Sequence, residues 1–267
     1  MKLNAGITGE GQILAEKYNV SGVPQIVFVD KDGIEIDRIV GYLPAEPYLK
    51  RVQEVLNGEN TLSDLQLKYK KNPEDLQIMI KLAEKYENQS SFDAAANIYT
   101  EMLGRYSDRS TEDVNRARYM LAIRDLFNGN RSSIDRFLKK YSYSQYVFEA
   151  YSEMAKYFSS QYDTVNEINS LKKLSEAYPD DASAQNSYAW RMTELGGNLN
   201  DALIKAQKGV KLAKDTMQKA SIIDTEAEVL WKLGRMDEAI QVIEEAIKLQ
   251  PEEIYFQKQK EKFRASK

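Results

Sequence analysis

The chain of 267 residues contains no cysteine and no histidine, and each absence removes a block of chemistry. Without cysteine there is no disulfide, no thiolate nucleophile and no sulfur ligand for a metal. Without histidine there is no ordinary general base near neutral pH and no imidazole ligand, so zinc sites and Cys/His nucleophile pairs fall together. No metal and no cofactor is expected. Paired acids such as Asp180-Asp181, Glu244-Glu245 and Glu252-Glu253 are sequence neighbours, and neighbouring helical residues point apart. They read as solvated surface. Asp30-x-Asp32-Gly33 opens like a calcium loop, but the remaining ligands and the closing bidentate Glu are missing, which leaves a hairpin turn as the better reading. No catalytic residue is expected.

An excess of either charge is missing too. Thirty-seven Lys and Arg stand against forty-one Asp and Glu, a net charge of -4, so the basic footprint of a nucleic-acid partner is absent. The seventeen tyrosines, many of them between Tyr141 and Tyr162, therefore read as helix packing rather than base stacking. No run of eighteen apolar residues occurs, and no membrane partner is expected. Met1-Lys2-Leu3-Asn4-Ala5-Gly6 lacks the basic region, apolar core and cleavage site of a secretory signal. Composition leaves the compartment open: cytoplasmic if Met1 is the native start, periplasmic if the chain belongs to a longer exported protein. With 42% hydrophobic and 29% charged residues, the chain is of the globular class and long enough for sizeable cores.

The apolar pattern of the first sixty residues changes period in order. Ile13, Leu14, Lys17 and Tyr18 fall at helical spacing, a Ser-Gly-Val-Pro break follows, and Ile26-Val27-Phe28-Val29 reads as a buried strand. Asp30-Lys31-Asp32-Gly33 turns the chain. Ile34, Ile36, Arg38 and Val40 then alternate with Glu35, Asp37, Ile39 and Gly41, as in an antiparallel partner with one face more buried than the other. Pro44 and Pro47 flank the start of a helix whose apolar stripe is Tyr48, Leu49, Val52, Val55 and Leu56, ended by Asn57-Gly58.

Helix, turn, hairpin and helix, with Lys17-Tyr18-x-Val20-x-Gly22-Val23-Pro24 ahead and Gly41-Tyr42 behind, resemble the C-terminal half of the thioredoxin-like superfamily over about the first fifty-eight residues. The half that carries Cys-x-x-Cys in that family has no counterpart here. The resemblance implies that the Val23–Pro24 bond is cis and that Val23 offers its backbone to a partner strand; a trans proline that merely opens a strand is the plainer alternative. It also implies a gap in the sheet, because a strand at Leu3-Asn4-Ala5 would not neighbour the Ile26 to Val29 strand. An open edge calls for a shifted N-terminal strand, a second copy of the chain forming a homodimer through the incomplete sheet, or a longer native protein. The longer protein, with Met1 short of the true start, is the favoured expectation.

From about residue 61 the pattern is helical and repeats with the period near thirty-four that marks tetratricopeptide repeats (TPR). The clearest unit runs Ala227-Glu228-Val229-Leu230-Trp231-Lys232-Leu233-Gly234-Arg235-Met236-Asp237-Glu238-Ala239-Ile240 and on through Ala246 to Pro251. Small residues let paired helices approach, and Gly234 suits a left-handed helix end. Ala83 with Ala95, Ala122 with Gly129, Ala155 with Pro179, and Ala189 with Ala202 and Gly209 give four weaker units. Glu167 departs from the pattern where a small residue is usual, and Gly196-Gly197 lengthens a turn by one. An irregular helical solenoid outside this repeat family is the alternative. The expected fold class is mostly α: an α-solenoid of TPR helical hairpins preceded by a partial α/β thioredoxin-like domain. Its divisions are 1–58 for the thioredoxin-like part, 59–72 for a linking helix with Ser63-x-x-Gln66 as its capping box, and 73–267 for the repeats. The tail after Pro251, with Ile254, Tyr255 and Phe256 inward, reads as a capping helix.

Members of the TPR family hold peptides or proteins in a groove lined by the first helix of each repeat. Carried over, that face would present Arg116, Tyr119, Asn186, Trp190, Asp224 and Trp231. Aromatic anchors beside an amide and a carboxylate suit partner binding; equally, Trp190 and Trp231 could fill gaps between repeats. Ile80 and Glu84 stand where the family's chaperone-tail binders carry Lys and Asn, so acidic chaperone tails are not expected there. The functional expectation is a non-catalytic module binding protein or peptide partners. The alternative is the C-terminal portion of a thiol-disulfide oxidoreductase whose cysteines lie upstream, and a thiol-independent holdase is a weaker third reading.

Overall fold

The computed structural model describes residues 9–20 and 22–266, and the chain divides into two compact units, Met1–Ser144 and Gln145–Lys267. The strand expected at Leu3-Asn4-Ala5 lies outside the described residues.

Among the described residues the first unit begins with α1 (Glu10–Lys17), β1 (Gln25–Val29), β2 (Glu35–Val40) and α2 (Ala45–Leu56). The strands form an antiparallel hairpin with Gln25 opposite Val40 and Phe28 opposite Asp37, and its register is irregular between Phe28 and Val29. Its turn is made by Asp30, whose Oδ1 accepts from the N–H of Asp32 and of Ile34, both at 2.9 Å. Gly33 completes it at φ +72, a conformation that disfavours a side chain.

The alternation expected along β2 is not what folds. Asp37, Arg38 and Ile39 are buried in succession while Ile34 and Val40 are exposed. Both faces of β2 are covered because the strand packs on α3 (Leu62–Lys71) and α4 (Leu76–Asn88). Each buried charge has partners, the condition under which burial is tolerated. Arg38 donates to both oxygens of Glu35 at 2.7 and 2.6 Å, to the Tyr18 carbonyl at 2.6 Å and to the Asn88 carbonyl at 3.2 Å. Asp37 is held by Lys85 and Arg51. On α2 the expected stripe is only partly covered: Val55 is buried, whereas Leu49 and Leu56 are exposed.

Helix α3 is capped two residues earlier than its expected box, at Thr61 and not Ser63. Thr61 is the N-cap, accepting from the Asp64 N–H at 3.3 Å, while Asp64 Oδ2 accepts from the Asn60 N–H at 2.7 Å. With Thr61 in place, Ser63 and Gln66 fall inside the helix, and Gln66 reaches Tyr86 instead. Helical pairs follow: α4 with α5 (Phe92–Tyr106), and α6 (Glu112–Phe127) with α7 (Ser132–Lys140). Their core sets Met79, Leu82, Tyr99 and Met102 against the small residues Ala83, Ala95 and Ala117.

The second unit pairs α8 (Val147–Ser160) with α9 (Thr164–Ala177), α10 (Ala182–Leu195) with α11 (Leu199–Leu212), and α12 (Thr216–Lys232) with α13 (Met236–Leu249), then closes with α14 (Ile254–Ala265). Ala189, Ala202, Ala206, Ala227, Ala239 and Ala246 are all fully buried, so backbones meet closely where the repeat pattern asks for small residues. Gly196 ends α10 in the left-handed conformation, and Gly234 turns the chain after α12 at φ +77. Asp163, Asp181, Asn198 and Asp215 each cap a helix through a side-chain oxygen. Of the three residues expected inward on α14, only Phe256 is buried; its inner companion is Phe263, two turns on, and Ile254 faces outward.

Candidate functional site

The residues expected to bind partners fall into three places. In the first, the Val23–Pro24 peptide is cis. The Pro24 carbonyl accepts from the Gly41 N–H at 2.9 Å, which fixes the entry to β1 against the end of β2, and Val23 is exposed. On its side away from β2, β1 has no strand partner among the described residues. Backbone donors and acceptors along such an edge are the elements of strand addition.

The second place is the first helix of the second repeat. Arg116 ion-pairs with Glu84 at 2.9 Å and Glu87 at 2.8 Å, and its Nε donates to the Tyr99 hydroxyl at 3.2 Å. That hydroxyl donates to Glu87 at 2.7 Å, and burial, then Glu87, pushes the phenol well above its usual range. Arg116 thus joins α4, α5 and α6 as part of an internal network. Tyr119 is buried with its ring 6.0 Å from that of Phe137. Both residues have structural partners.

The third place holds the other four. Asn186 and Trp190 lie four residues apart on α10, hence on one helix face, and both are half-buried. The Asn186 Oδ1 is buried and has no hydrogen-bond partner among the described residues. Asp224 and Trp231 lie on α12, which packs beside α10, but they turn beneath α14. The Tyr255 hydroxyl meets Asp224 Oδ2 at 3.1 Å and accepts from Gln259 at 2.7 Å. The Trp231 ring lies 5.9 Å from that of Phe263, and Lys262 Nζ sits 4.2 Å over it. Lys262 also bonds both Glu228 oxygens at 2.6 Å. Burial pushes the Asp224 carboxyl up to about 6, with Glu228 adding to the rise and the Tyr255 and Gln259 bonds and Lys262 opposing it.

The seam of Asp224, Glu228, Trp231, Tyr255, Gln259, Lys262 and Phe263 was only half visible beforehand. Tyr255, Gln259 and Lys262 recur at helical spacing in the tail, a pattern that names one face of α14 but not the residues it meets. The pairing of Asp37 with Arg51 and Lys85 carries no local signal, since Lys85 stands 48 residues from Asp37. Among the described residues no group of three or more His, Cys, Asp or Glu side chains could hold a metal ion, and no helix is long and apolar enough to cross a membrane.

Residues 3–56 match the family model of a thioredoxin-like domain. No curated protein matches the chain in sequence. Among solved structures, YrrB, described as a TPR protein with an unusual peptide-binding site, is 14% identical with a TM-score of 0.51, over 74% of this chain and 97% of its own. BtubC (BKLC) from P. vanneervenii is 12% identical with a TM-score of 0.53, over 71% of this chain and 87% of its own. At such identities the likeness is one of fold. A thioredoxin-like segment stands ahead of helical hairpins of the TPR type.

Proposed function

We propose that the chain is a non-catalytic protein-interaction module, in which TPR-type hairpins hold a peptide or protein partner and the thioredoxin-like segment offers a second contact along the free edge of β1. The division into 1–58, 59–72 and 73–267 belongs to this reading. The observation that carries it is the packing of α10 beside α12, which sets the half-buried Asn186 and Trp190 together on a helix face of TPR geometry, the Asn186 Oδ1 being buried without a hydrogen-bond partner among the described residues. A half-buried amide beside an aromatic ring offers polar and apolar contact on one face, and the buried, unsatisfied Asn186 Oδ1 would gain an N–H from a partner once the side chain turns outward. That YrrB is described as having a peptide-binding site adds support from a protein of similar fold.

The test is a displayed peptide library panned against the full chain, with the selected peptides measured by calorimetry. Asn186→Ala and Trp190→Ala are expected to weaken them about tenfold or more, within the range of interface anchors, while thermal stability stays near that of the parent. Equal affinity in both variants rejects the groove.

The match of residues 3–56 to a thioredoxin-like domain favours a second reading, in which this chain is the partner-recruiting portion of a thiol-disulfide oxidoreductase whose cysteines lie upstream. In either reading the chain as written reduces insulin disulfides no faster than dithiothreitol does alone. Thiol-dependent turnover by the purified chain rejects both. A second copy completing the β1 edge is the further partner this reading admits, and sedimentation of the chain at increasing concentration tests it.

A further inference from the structure

Helices α5 and α7 both pack on α6, and between them lies a cleft of about 330 Å³ within the first unit. Its origin is in the sequence. Helix α7 has 9 residues where α5 has 15, so the second helix of this degenerate repeat is too short to cover α6 as its neighbour does. The floor is apolar, with Leu103 from α5, Leu121 from α6 and Phe137 from α7. The rim is cationic.

Three cations, Arg118, Arg136 and Lys140, line the cleft against one carboxylate, Asp125, and that carboxylate accepts from the Ser133 hydroxyl. Arg118 is a wall: it donates to Asn115 Oδ1 at 2.7 Å and to the carbonyls of Ser107 and Arg109 at 2.9 and 2.7 Å, at the end of α5. Its guanidinium stacks on the Tyr141 ring at 4.4 Å. Arg136 and Lys140 are exposed and form no ion pair among the described residues. Spaced four apart on α7, they share a face and repel, a cost of a few tenths of a kcal/mol in an isolated helix that the helix C-terminus offsets only in part. An anion between them would remove that repulsion.

We infer that this cleft binds the C-terminal residue of a peptide, an apolar side chain entering between Leu103, Leu121 and Phe137 while its free α-carboxylate meets Arg136 and Lys140. The size suits a chain end: at about 330 Å³ the cleft lies at the small end of the range of about 300–1,000 Å³ for ligand pockets, room for one side chain and its carboxylate. Charge complementarity decides for the acid. The site lies on residues of α5, α6 and α7 and is independent of Asn186 and Trp190, so its fate and that of the proposed groove are separable.

The probes are three short peptides titrated calorimetrically into the full chain at up to about 5 mM, a range that reaches millimolar affinity: acetyl-Gly-Gly-Leu with a free carboxylate, the same peptide as its amide, and acetyl-Gly-Glu-Leu amide. The free acid is expected to bind at least about tenfold more tightly than either amide, and its affinity to fall as salt rises. Arg136→Ala with Lys140→Ala removes that preference, and Leu121→Ser weakens the free acid as well; Asn186→Ala leaves it unchanged. Equal binding of acid and amide, equal binding of the Glu-containing amide, retained preference in the double variant, or no binding of the free acid each overturns the inference. Arg136 and Lys140 are exposed and form no ion pair among the described residues, Lys140 Nζ lying 5.4 Å from the Tyr141 ring centroid, so the double variant keeps the fold, which an unchanged far-ultraviolet spectrum verifies.

Discussion

The Nζ of Lys85 on α4 donates to both carboxylate oxygens of Asp37 on β2, each at 2.8 Å. Arg51 of α2 closes on the same carboxylate, and Asp37 is 2% exposed. A strand of the thioredoxin-like segment is thereby fastened to a first helix of the repeats. Asp37→Ala leaves Lys85 and Arg51 facing one another with no shared anion, and burial already pushes Lys85 down to about 8. The expected loss is about 3–5 kcal/mol, as for breaking a buried pair from one side. Hydrogen exchange should find it first in the amides of β1 and β2. Protection there equal to that of the parent would show that apolar contacts alone hold the hairpin.

Glu167 stands where the repeat pattern prefers a small residue, and its partner explains how it is accommodated. Arg191 of α10 pairs with it at 2.7 and 2.9 Å, the Glu167 side chain being 7% exposed and that of Arg191 26%. The two deletions are therefore unequal. Arg191→Ala strands a buried carboxylate and is expected to cost about 3–5 kcal/mol. Glu167→Ala leaves Arg191 with Glu194 at 3.1 Å and with water, and is expected to cost about 1–2 kcal/mol. Urea denaturation of both variants checks the order, and the reverse order would contradict this account of the pair.

What was legible in the sequence was what local rules encode. Gly234, Gly33, Pro44 ahead of α2 with Pro47 in its first turn, and the alanines at repeat spacing each act on neighbours a few residues away, and the helices, the hairpin and its turn followed from them. Thr61 was missed in favour of Ser63 because both are good caps and only the helix start distinguishes them. The burial of Asp37 and Arg38 was beyond such rules. Alternation along a strand predicts one wet face, and nothing near these residues says that α3 and α4 will cover the second. The groove residues divide on the same ground: side chains on α12 fell beneath α14 because the partner face of a capping helix is fixed by packing between elements, not by the period within one.

Gly209 sits inside α11, where glycine costs about 1 kcal/mol relative to alanine. A Cβ there would lie 3.1 Å from Ile222 Cγ2 on α12 and 3.4 Å from the Ala182 carbonyl on α10. The missing side chain lets three helices meet. Gly209→Ala is expected to be within about 1 kcal/mol of neutral, because helix propensity offsets a small shift of Ile222. Gly209→Val should lose about 1–3 kcal/mol by overpacking. Denaturant midpoints of the two variants decide it; a harmless valine would mean that α11 and α12 are not in close contact at this position.

Asp224 makes the seam of α12 and α14 respond to pH, and the direction follows from its surroundings. Its carboxyl, ordinarily near 3.8, is pushed up to about 6, chiefly by burial. Glu228 on α12, Tyr255 and Gln259 on α14, and Lys262 paired to Glu228, are the groups that face it. A carboxyl raised on folding holds its proton more tightly in the folded chain than in the unfolded one. The resulting stabilisation is complete below about pH 4 and is lost as pH rises through about 6, up to about 3 kcal/mol in all. Moving from pH 7 to pH 5 should therefore slow hydrogen exchange in α14, against the usual trend for paired surface carboxylates such as Glu244, which Lys260 holds below its normal range. Asp224→Asn keeps the shape and removes the charge. It should stabilise α14 at pH 7 and flatten its dependence between pH 4 and 6, read as exchange corrected for the intrinsic rate at each pH. Unchanged pH dependence in Asp224→Asn would assign the effect to another group, and a loss of stability at pH 7 would mean that the ionised carboxylate is itself the better partner for Tyr255.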